Sequence, residues 1–241
     1  AGPEMVADTA AATESFALNA AADIEVAVVD RRVDGLRLRI EGRERTFQLA
    51  GRFNAYNLAA AYGVGTALGH APDAVLDALA DAPPVPGRFE PLRFGSGTTV
   101  IVDYAHTPDA LQNILQAVRD TMDPEATLWC VFGCGGDRDA GKRSTMGRIA
   151  EQHADRVVVT SDNPRTEEPV AILRDIRNGI REPDAMRWIV DRDEAIQAAA
   201  DAAAPGDVVV IAGKGHETTQ TIGADTRPFD DRDIARKYFS R

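Results

Sequence analysis

The sequence is poor in two residue types that often define a protein's class. It holds two cysteines, Cys130 and Cys134, and three lysines, Lys142, Lys214 and Lys237. Because no second cluster of Cys and His completes a zinc site, the pattern favours two buried thiols in a reducing cytosol over a disulfide or a metal pair. Two of the three lysines lie in glycine-rich segments, which makes those segments candidates for binding.

Long apolar runs are also missing. No run approaches the roughly 20 residues that a membrane-spanning helix requires, and no segment resembles a signal peptide. The net charge of −11 argues against nucleic acid or an anionic membrane as a main partner. We therefore expect a cytoplasmic, monomeric protein that acts on small molecules.

At 241 residues the chain is long enough for one large domain or two smaller ones. Its hydrophobic content of 44% is ordinary for a globular protein. The segment DAPPVPGR, residues 81–88, has three prolines within four residues and indicates a linker. We therefore expect a first domain over 1–84 and a second over 87–241. In the first, the pattern predicts strands at 24–29, 36–40 and 45–49, and helices at 53–68 and 72–80.

Beyond the linker, apolar β-branched runs alternate with helical patterns. The predicted strands are 98–104, 127–132, 156–160, 187–190 and 207–212, with an edge strand near 218–222. The predicted helices are 108–119, 144–153, 169–180, 193–203 and 230–239. This alternation predicts an α/β class, with a Rossmann-like, mostly parallel sheet and helices on both faces. Right-handed crossovers then place the loops that follow the strands on one rim, where ligands bind.

Four polar motifs follow directly after predicted strands. They are DYAHTPD at 103–109, GCGGDRD at 133–139, SDNPR at 161–165 and GKGHE at 213–217. Because these loops share a rim, the sequence predicts one site built from all four.

The second motif continues into a partial match to a phosphate-binding loop. Gly136, Gly141 and Lys142 fit the pattern Gly-x4-Gly-Lys-Ser/Thr, but Arg143 stands where the Mg²⁺-binding hydroxyl should be. A helix N-terminus with nearby cations still favours an anion, and Arg138, Lys142 and Arg143 supply the cations. We therefore predict a carboxylate ligand rather than a triphosphate.

A self-neutralised, solvated loop is the alternative for this motif. In that reading, Asp137 and Asp139 pair with the neighbouring cations. The pattern alone leaves both readings open.

The last two motifs suit a ligand that carries both charges. Arg165 offers a planar fork that matches a carboxylate, Asn163 can donate and accept, and Glu217 is an anion beside the backbone amides of Gly213 and Gly215. Together they favour a zwitterionic amino acid, although SDNPR alone also fits a common turn.

The first motif offers groups for a nucleotide. Asp103 could accept bonds from ribose hydroxyls, and His106 could stack on a base. A helix-capping aspartate and a surface histidine are the alternative.

Taken together, VIVDYAHTPDAL, VFGCGGDRDAGKRSTMG, SDNPRTEEP and AGKGHE resemble the Mur ligases, in order and with family-like spacing. DYAHTPD and DNPR resemble the branch that adds meso-diaminopimelate. The resemblance implies an ATP-dependent amide ligase of peptidoglycan biosynthesis that uses Mg²⁺. It would join meso-diaminopimelate to UDP-N-acetylmuramoyl-L-alanyl-D-glutamate through an acyl phosphate.

The resemblance also assigns residues. Those implied for meso-diaminopimelate are Arg138, Asp162, Asn163, Pro164, Arg165, Gly213 and Glu217. Those implied for ATP are Asn54, Asn57, Arg88, Asp103 and His106. Ser144 and Thr145 depart from a proline often found after GKR in relatives, and HETTQ lacks a tyrosine before Gln220. Neither departure replaces an implied contact.

Family members also carry a UDP-sugar-binding domain and a central ATPase domain with a true P-loop and a carbamylated lysine. No Gly-x4-Gly-Lys-Ser/Thr occurs here. We therefore expect a C-terminal fragment that is inactive alone and has no catalytic residue or metal ligand. Residues 1–84 would then be the tail of the ATPase domain, and 87–241 the complete amino-acid-binding domain.

Two other functions stay open at this point. One is a related ligase that uses lysine or glutamate instead. The other is a non-catalytic Rossmann-like binding module, against which stands the lack of Gly-x-Gly-x-x-Gly after the first strand of the sheet.

Overall fold

The computed structural model describes residues 13–240 and divides the chain into two compact units. The boundary lies between Pro83 and Pro84, inside the proline-rich segment from which the sequence predicts a linker. Within residues 13–240, none of the helices has the length and apolar character needed to cross a bilayer.

The first unit is a four-stranded sheet with two helices. Its strands are β1 (Phe16–Leu18), β2 (Ile24–Arg32), β3 (Gly35–Ile40) and β4 (Arg43–Phe47), and its helices are α1 (Arg52–Ala67) and α2 (Pro72–Asp81). The meander β2–β3–β4 is antiparallel, whereas β1 runs parallel to β2. Leu36, Leu38 and Ile40 alternate inward from β3 and form the core with the helices.

The third predicted strand begins two residues earlier than expected. Glu41 and Gly42 both have positive φ angles, 48° and 77°, as a two-residue hairpin turn requires. The turn is therefore complete at Gly42, and β4 starts at Arg43 instead of Arg45.

The second unit is built on a six-stranded sheet. The strands are β5 (Glu90–Arg93), β6 (Thr99–Asp103), β7 (Leu128–Phe132), β8 (Arg156–Val159), β9 (Arg187–Trp188) and β10 (Val208–Ala212). The helices are α3 (Pro108–Arg119), α4 (Lys142–His153), α5 (Pro169–Arg177), α6 (Arg192–Ala200) and α7 (Asp231–Phe239), with a 3₁₀ turn at Pro183–Ala185. The order is β5-β6-β10-β7-β8-β9, and only the edge strand β5 is antiparallel.

The predicted α/β class is confirmed. The central strands β7 (LWCVF) and β10 (VVVIA) are buried along their whole length, as strands covered by helices on both faces should be. Cys130 and Cys134 are free, buried thiols, and burial raises the pKa of each to about 12. These thiols are therefore protonated at neutral pH.

The expected edge strand near 218–222 is not part of the large sheet. Instead β11 (Thr219–Ile222) pairs antiparallel with β12 (Asp225–Pro228) as a separate hairpin. A turn at Gly223, whose φ is 59°, folds the segment back on itself before it could extend along the large sheet.

Three helix bounds differ from the prediction by two residues or more. α4 starts at Lys142, two residues early, and α6 ends at Ala200 because the chain turns through Asp201. α5 ends at Arg177, not at residue 180. A Cβ at Gly179 would lie 1.7 Å from the Ser144 carbonyl oxygen, so the chain leaves the helix in tight contact with α4.

Candidate functional site

Four loops of the second unit surround one cavity of about 370 Å³. They follow β6, β7, β8 and β10, so the prediction that the motifs share one rim is confirmed. The cavity brings together His106, Arg138, Asp162, Asn163, Arg165, Gly213 and Glu217 from the predicted set. Pro164 is buried outside this lining, against Gly136 of the neighbouring loop.

The loop that follows β6 ends at the N-cap of α3. Thr107 precedes α3 and accepts the Ala110 N–H at 3.3 Å, with Pro108 at the first helical position. This cap fixes where α3 starts and therefore where His106 enters the cavity.

Arg165 is held in a strained backbone conformation by the β11–β12 hairpin. Its φ is 54°, a left-handed value that costs a non-glycine residue of order 1 kcal/mol and persists only where the surroundings enforce it. Its N–H donates to the Thr221 carbonyl at 3.1 Å, and its carbonyl accepts the Gly223 N–H at 2.6 Å. The hairpin thereby fixes where the arginine enters the cavity.

The guanidinium of Arg165 is anchored at one nitrogen. Nη1 donates to the Gly136 carbonyl at 2.7 Å and, at 3.5 Å, to that of Asn163. Within residues 13–240, no hydrogen bond occupies its Nη2 or Nε, so the remaining N–H groups can meet a planar anion such as a carboxylate.

A second arginine lines the same cavity beside a glycine. Arg138 is exposed and has no ion-pair partner in the described part of the chain. A Cβ at Gly135 would lie 3.0 Å from Arg165 Nη1 and 3.8 Å from Arg138 Cγ. The missing side chain at Gly135 therefore lets two positive side chains flank one point of the cavity.

A buried network holds the acidic side of the cavity. Asn163 Nδ2 donates to Glu217 Oε2 at 2.8 Å, while Asn163 Oδ1 accepts the Thr221 N–H at 3.0 Å and Lys214 Nζ at 3.2 Å. Lys214 Nζ also lies 3.3 Å from Glu217 Oε2. Nothing in the sequence pattern shows that Lys214 is buried, although the scarcity of lysine singles it out.

Asp162 is a nearly buried carboxylate that lines the cavity. It is 7% exposed, and within residues 13–240 its carboxylate has no hydrogen-bond partner. Burial raises the pKa of Asp162 above its usual value, against the opposing charges of Arg192 and Lys214. A Cβ at Gly213, whose φ is 120°, would lie 2.8 Å from Asp162 Oδ2, so this approach requires glycine.

Arg143 does not supply charge to the cavity, and the prediction that it does is wrong. Its side chain is 2% exposed and binds both oxygens of Glu167, at 2.8 and 2.9 Å, and Asp175 Oδ2 at 2.8 Å. The hydrogen bonds that Arg143 donates to Glu167, with the one that it donates to Asp175, hold the pKa of Arg143 above its usual value despite burial. Arg143 joins α4 to the loop after β8 instead.

The alternative in which the loop aspartates pair with the loop cations is also wrong for the described residues. Asp137 accepts the Thr166 hydroxyl at 2.7 Å and the Thr166 N–H at 3.2 Å. Asp139 accepts the Gly141 N–H at 2.8 Å. These carboxylates shape the loop and leave Arg138 unneutralised.

An aromatic cluster lies at the loop after β6. The Arg88 guanidinium lies 4.5 Å from the centre of the Tyr104 ring, whose centre is 4.5 Å from that of His106 and 5.2 Å from that of His216. His106 is held by contact of Nδ1 with the Tyr104 carbonyl at 2.7 Å, and its own carbonyl accepts Lys142 Nζ at 2.7 Å. Flat faces and a cation suit a planar heterocycle.

The Asp103 carboxylate accepts hydrogen bonds from two backbone N–H groups. One carboxylate oxygen accepts the Phe89 N–H and the other the Ala105 N–H, each at 2.7 Å. Burial raises the pKa of Asp103, against these two bonds. The contact between Asp103 and a ribose stays a prediction.

Asn54 and Asn57 lie in the first unit, near the start of α1. Asn54 Nδ2 donates to the Ala50 carbonyl at 2.6 Å, and Asn57 Nδ2 donates to Asn54 Oδ1 at 3.0 Å. Their contact with ATP likewise stays a prediction.

Comparison with known families gives one matching domain. Residues 87–215 match the model of the Mur ligase, glutamate ligase domain. This region holds the linker end and the four motifs up to GKG.

A curated relative from Parabacteroides distasonis is 43% identical over 241 residues, 99% of this chain and 50% of the relative. It is named UDP-N-acetylmuramoyl-L-alanyl-D-glutamate–2,6-diaminopimelate ligase. The chain spans about half the length of the first curated relatives it matches.

Solved structures agree with this likeness. A structure of UDP-N-acetylmuramoyl-L-alanyl-D-glutamate–2,6-diaminopimelate ligase has a TM-score of 0.66 and 39% identity, over 93% of this chain and 47% of that one. Mycobacterium tuberculosis folylpolyglutamate synthase complexed with ADP has a TM-score of 0.60 and 28% identity, over 78% of this chain and 45% of that one.

Proposed function

This chain belongs to the Mur ligase family, and from that premise we propose that it serves the cytoplasmic, ATP-dependent addition of meso-diaminopimelate to UDP-N-acetylmuramoyl-L-alanyl-D-glutamate in peptidoglycan biosynthesis. Relatives at about 43% identity carry that name. The cavity supports this substrate most strongly, because it is lined by both a fixed arginine, Arg165, and a fixed carboxylate, Glu217. These two side chains suit a negative and a positive group of one ligand.

In this proposal the distal amino-acid centre of meso-diaminopimelate occupies the cavity. Its carboxylate accepts the remaining N–H groups of Arg165, and its ammonium donates to Glu217. Arg138 adds positive charge for a ligand carboxylate, while Asp162 and Gly213 line the wall beside Glu217. Asn163 holds Glu217, and Pro164 stiffens the turn that carries Arg165.

The chemistry follows from holding the amino acid. The γ-carboxylate of the D-glutamyl residue attacks the γ-phosphorus of ATP, which gives an acyl phosphate and releases ADP. The neutral amine of meso-diaminopimelate then attacks the acyl carbon, and the tetrahedral intermediate loses phosphate and a proton to give the amide. Correct placement of an attacking amine supplies about 7–11 kcal/mol in favourable cases. Placement is the contribution we assign to this cavity.

ATP contacts are proposed in both units, each taken by itself. In the second unit, the cluster of Arg88, Tyr104 and His106 offers faces for a base. In the first, Asn54 and Asn57 offer amide groups. Among residues 13–240 no group of three or more His, Cys, Asp or Glu side chains is arranged to hold a metal ion, so we assign no Mg²⁺ ligand to this chain.

Calorimetric titration of the 241-residue chain with meso-diaminopimelate tests the proposal. Arg165→Met removes the fork for the distal carboxylate and should weaken binding by about tenfold to hundredfold, the usual range for hydrogen bonds to a charged group. The matched control is Arg148→Met, because Arg148 is exposed on α4 and lies outside the cavity. The control should bind as the wild type does.

Two results would contradict the proposal. One is the absence of meso-diaminopimelate binding by the wild type. The other is unchanged affinity in Arg165→Met. Tight binding of NAD instead would favour a non-catalytic binding module.

A further inference from the structure

Lys214 is a fully buried cation next to the cavity but not part of its lining. Its side chain is 0% exposed, and it is absent from the residues that line the cavity. A buried ammonium is unfavourable unless acceptors satisfy its N–H groups. Nζ has three, namely the Thr219 carbonyl at 2.5 Å, Asn163 Oδ1 at 3.2 Å and Glu217 Oε2 at 3.3 Å. All three donors of the ammonium are therefore engaged by protein atoms.

The first consequence concerns the orientation of the Asn163 amide. Its Oδ1 accepts two donors, Lys214 Nζ and the Thr221 N–H, at 3.2 and 3.0 Å. Because only an oxygen can accept both, Nδ2 must face Glu217, to which it donates at 2.8 Å. Lys214 thereby helps to fix a donor against Glu217.

The second consequence concerns the two oxygens of Glu217. Oε2 accepts both Asn163 Nδ2 and Lys214 Nζ. In the part of the chain that the structure describes, Oε1 has no hydrogen-bond partner, and the side chain is 32% exposed at the cavity. One oxygen is anchored in the protein, and the other is left for a ligand.

We propose that Lys214 is a positioning residue for the recognition of a ligand ammonium group, because it anchors Glu217 Oε2 and the Asn163 amide so that Glu217 Oε1 is presented to the cavity. The proposal rests on the proposed function, in which an amino acid occupies this cavity. The effect proposed for Lys214 is to hold the Glu217 carboxylate in position. A cation this close to the site would by charge alone repel an ammonium group, so the two possible roles of Lys214 predict opposite changes on its removal.

The test compares two ligands of the 241-residue chain by calorimetry. One is meso-diaminopimelate. The other is 2-aminopimelate, which keeps the carbon chain and both carboxylates but lacks one amino group. Lys214→Met keeps an unbranched apolar stem and removes the ammonium. Loss of anchoring should weaken meso-diaminopimelate binding by about tenfold or more, as for a lost charge-assisted bond, and change 2-aminopimelate binding by less than about threefold.

Lys237→Met is the matched control. Lys237 pairs with Asp193 on the surface, its side chain is 52% exposed, and it lies outside the cavity. The substitution makes the same change in net charge and should keep the wild-type preference for meso-diaminopimelate. If Lys214→Met does not fold, Lys214→Gln, whose neutral amide can still donate one bond, gives the same comparison.

The outcomes separate the two claims. The inference is overturned if the Lys214 variant keeps the preference, binds meso-diaminopimelate more tightly, or weakens both ligands equally. It is also overturned if the wild type binds both ligands equally well, since Glu217 would then not recognise an ammonium group. A wild type that binds no meso-diaminopimelate overturns the proposed function itself.

Discussion

Arg192→Met should destabilise the second unit strongly, because it leaves the carboxylate of Asp231 buried without its partner. Both side chains are 0% exposed, and the guanidinium binds both carboxylate oxygens at 2.8 Å. The guanidinium also donates to the carbonyls of Ser161 at 3.3 Å and Ala212 at 3.0 Å. These two carbonyls precede Asp162 and Gly213, so Arg192 ties together the bases of two loops of the cavity.

The magnitude follows from the burial of the pair. Breaking a buried ion pair by removal of one partner costs about 3–5 kcal/mol. We therefore expect Arg192→Met to lower the free energy of unfolding by about 3–5 kcal/mol at pH 7.

Arg192 stays charged in the wild type. Burial lowers the pKa of Arg192, but its interactions with Asp231 outweigh burial and leave that pKa above its usual value. The substitution therefore removes a charged partner from a buried ion pair.

Urea unfolding followed by tryptophan fluorescence measures this loss in the second unit, since the two tryptophans, Trp129 and Trp188, both lie there. Arg192→Met/Asp231→Leu, which replaces the pair by apolar groups, should lie closer to the wild type than the single variant does. Arg148→Met is the exposed control and should change stability by less than about 0.5 kcal/mol. A loss below about 1 kcal/mol at pH 7 would show that the buried pair does not stabilise the second unit.

Two further predictions concern single residues. Asp207 accepts the Trp129 indole N–H at 3.1 Å and backbone N–H groups, and although burial opposes them, these bonds hold the pKa of Asp207 below its usual value. Asp207→Asn should therefore lower the free energy of unfolding by about 1–3 kcal/mol at pH 7. Urea unfolding should show this difference beginning to shrink as the pH falls through the ordinary aspartate range near about 4, and vanishing only below the lowered pKa of folded Asp207. A difference that stays constant across this acid range would contradict the prediction. Gly213→Ala should lower the free energy of unfolding by about 1–3 kcal/mol, because the φ of residue 213 is 120° and an added Cβ would contact Asp162 Oδ2. Calorimetry should also show meso-diaminopimelate binding weakened more than tenfold. Wild-type affinity and stability would show that the loop accommodates a Cβ.

The large sheet could be predicted because its signals are local. Apolar runs such as VVVIA in β10 and LWCVF in β7 consist of consecutive residues. The handedness of parallel crossovers then places the four motifs on one rim. Even so, the edge strand β5 and the second hairpin strand β12 escaped prediction, because short polar strands carry little periodicity.

The hydrogen bonds and ion pairs of the site could not be predicted, because the residues that form them are far apart in the chain. Arg143 reaches Glu167 and Asp175, which lie 24 and 32 residues away, and this changes it from a candidate anion ligand to a structural ion pair. Lys214 meets Asn163 across 51 residues. A motif shows which residue types follow a strand, but only the folded chain shows which of them face the cavity.

The partial match to a phosphate-binding loop also depends on a contact that the sequence does not show. Gly136 lies against the Pro164 carbonyl, where a Cβ would come within 1.8 Å. Its glycine is therefore required by the packing of two loops. The loop contributes Arg138 to the cavity, next to Arg165.

We propose that the cavity recognises the distal carboxylate of a diamino acid through Arg165. Titration of the 241-residue chain with meso-diaminopimelate and with L-lysine isolates this contact, because lysine keeps both amino groups and lacks only that carboxylate. We expect meso-diaminopimelate to bind at least about tenfold more tightly than lysine, the value of one charge-assisted hydrogen bond or more. Equal affinity for the two ligands, or a preference for lysine, would contradict it.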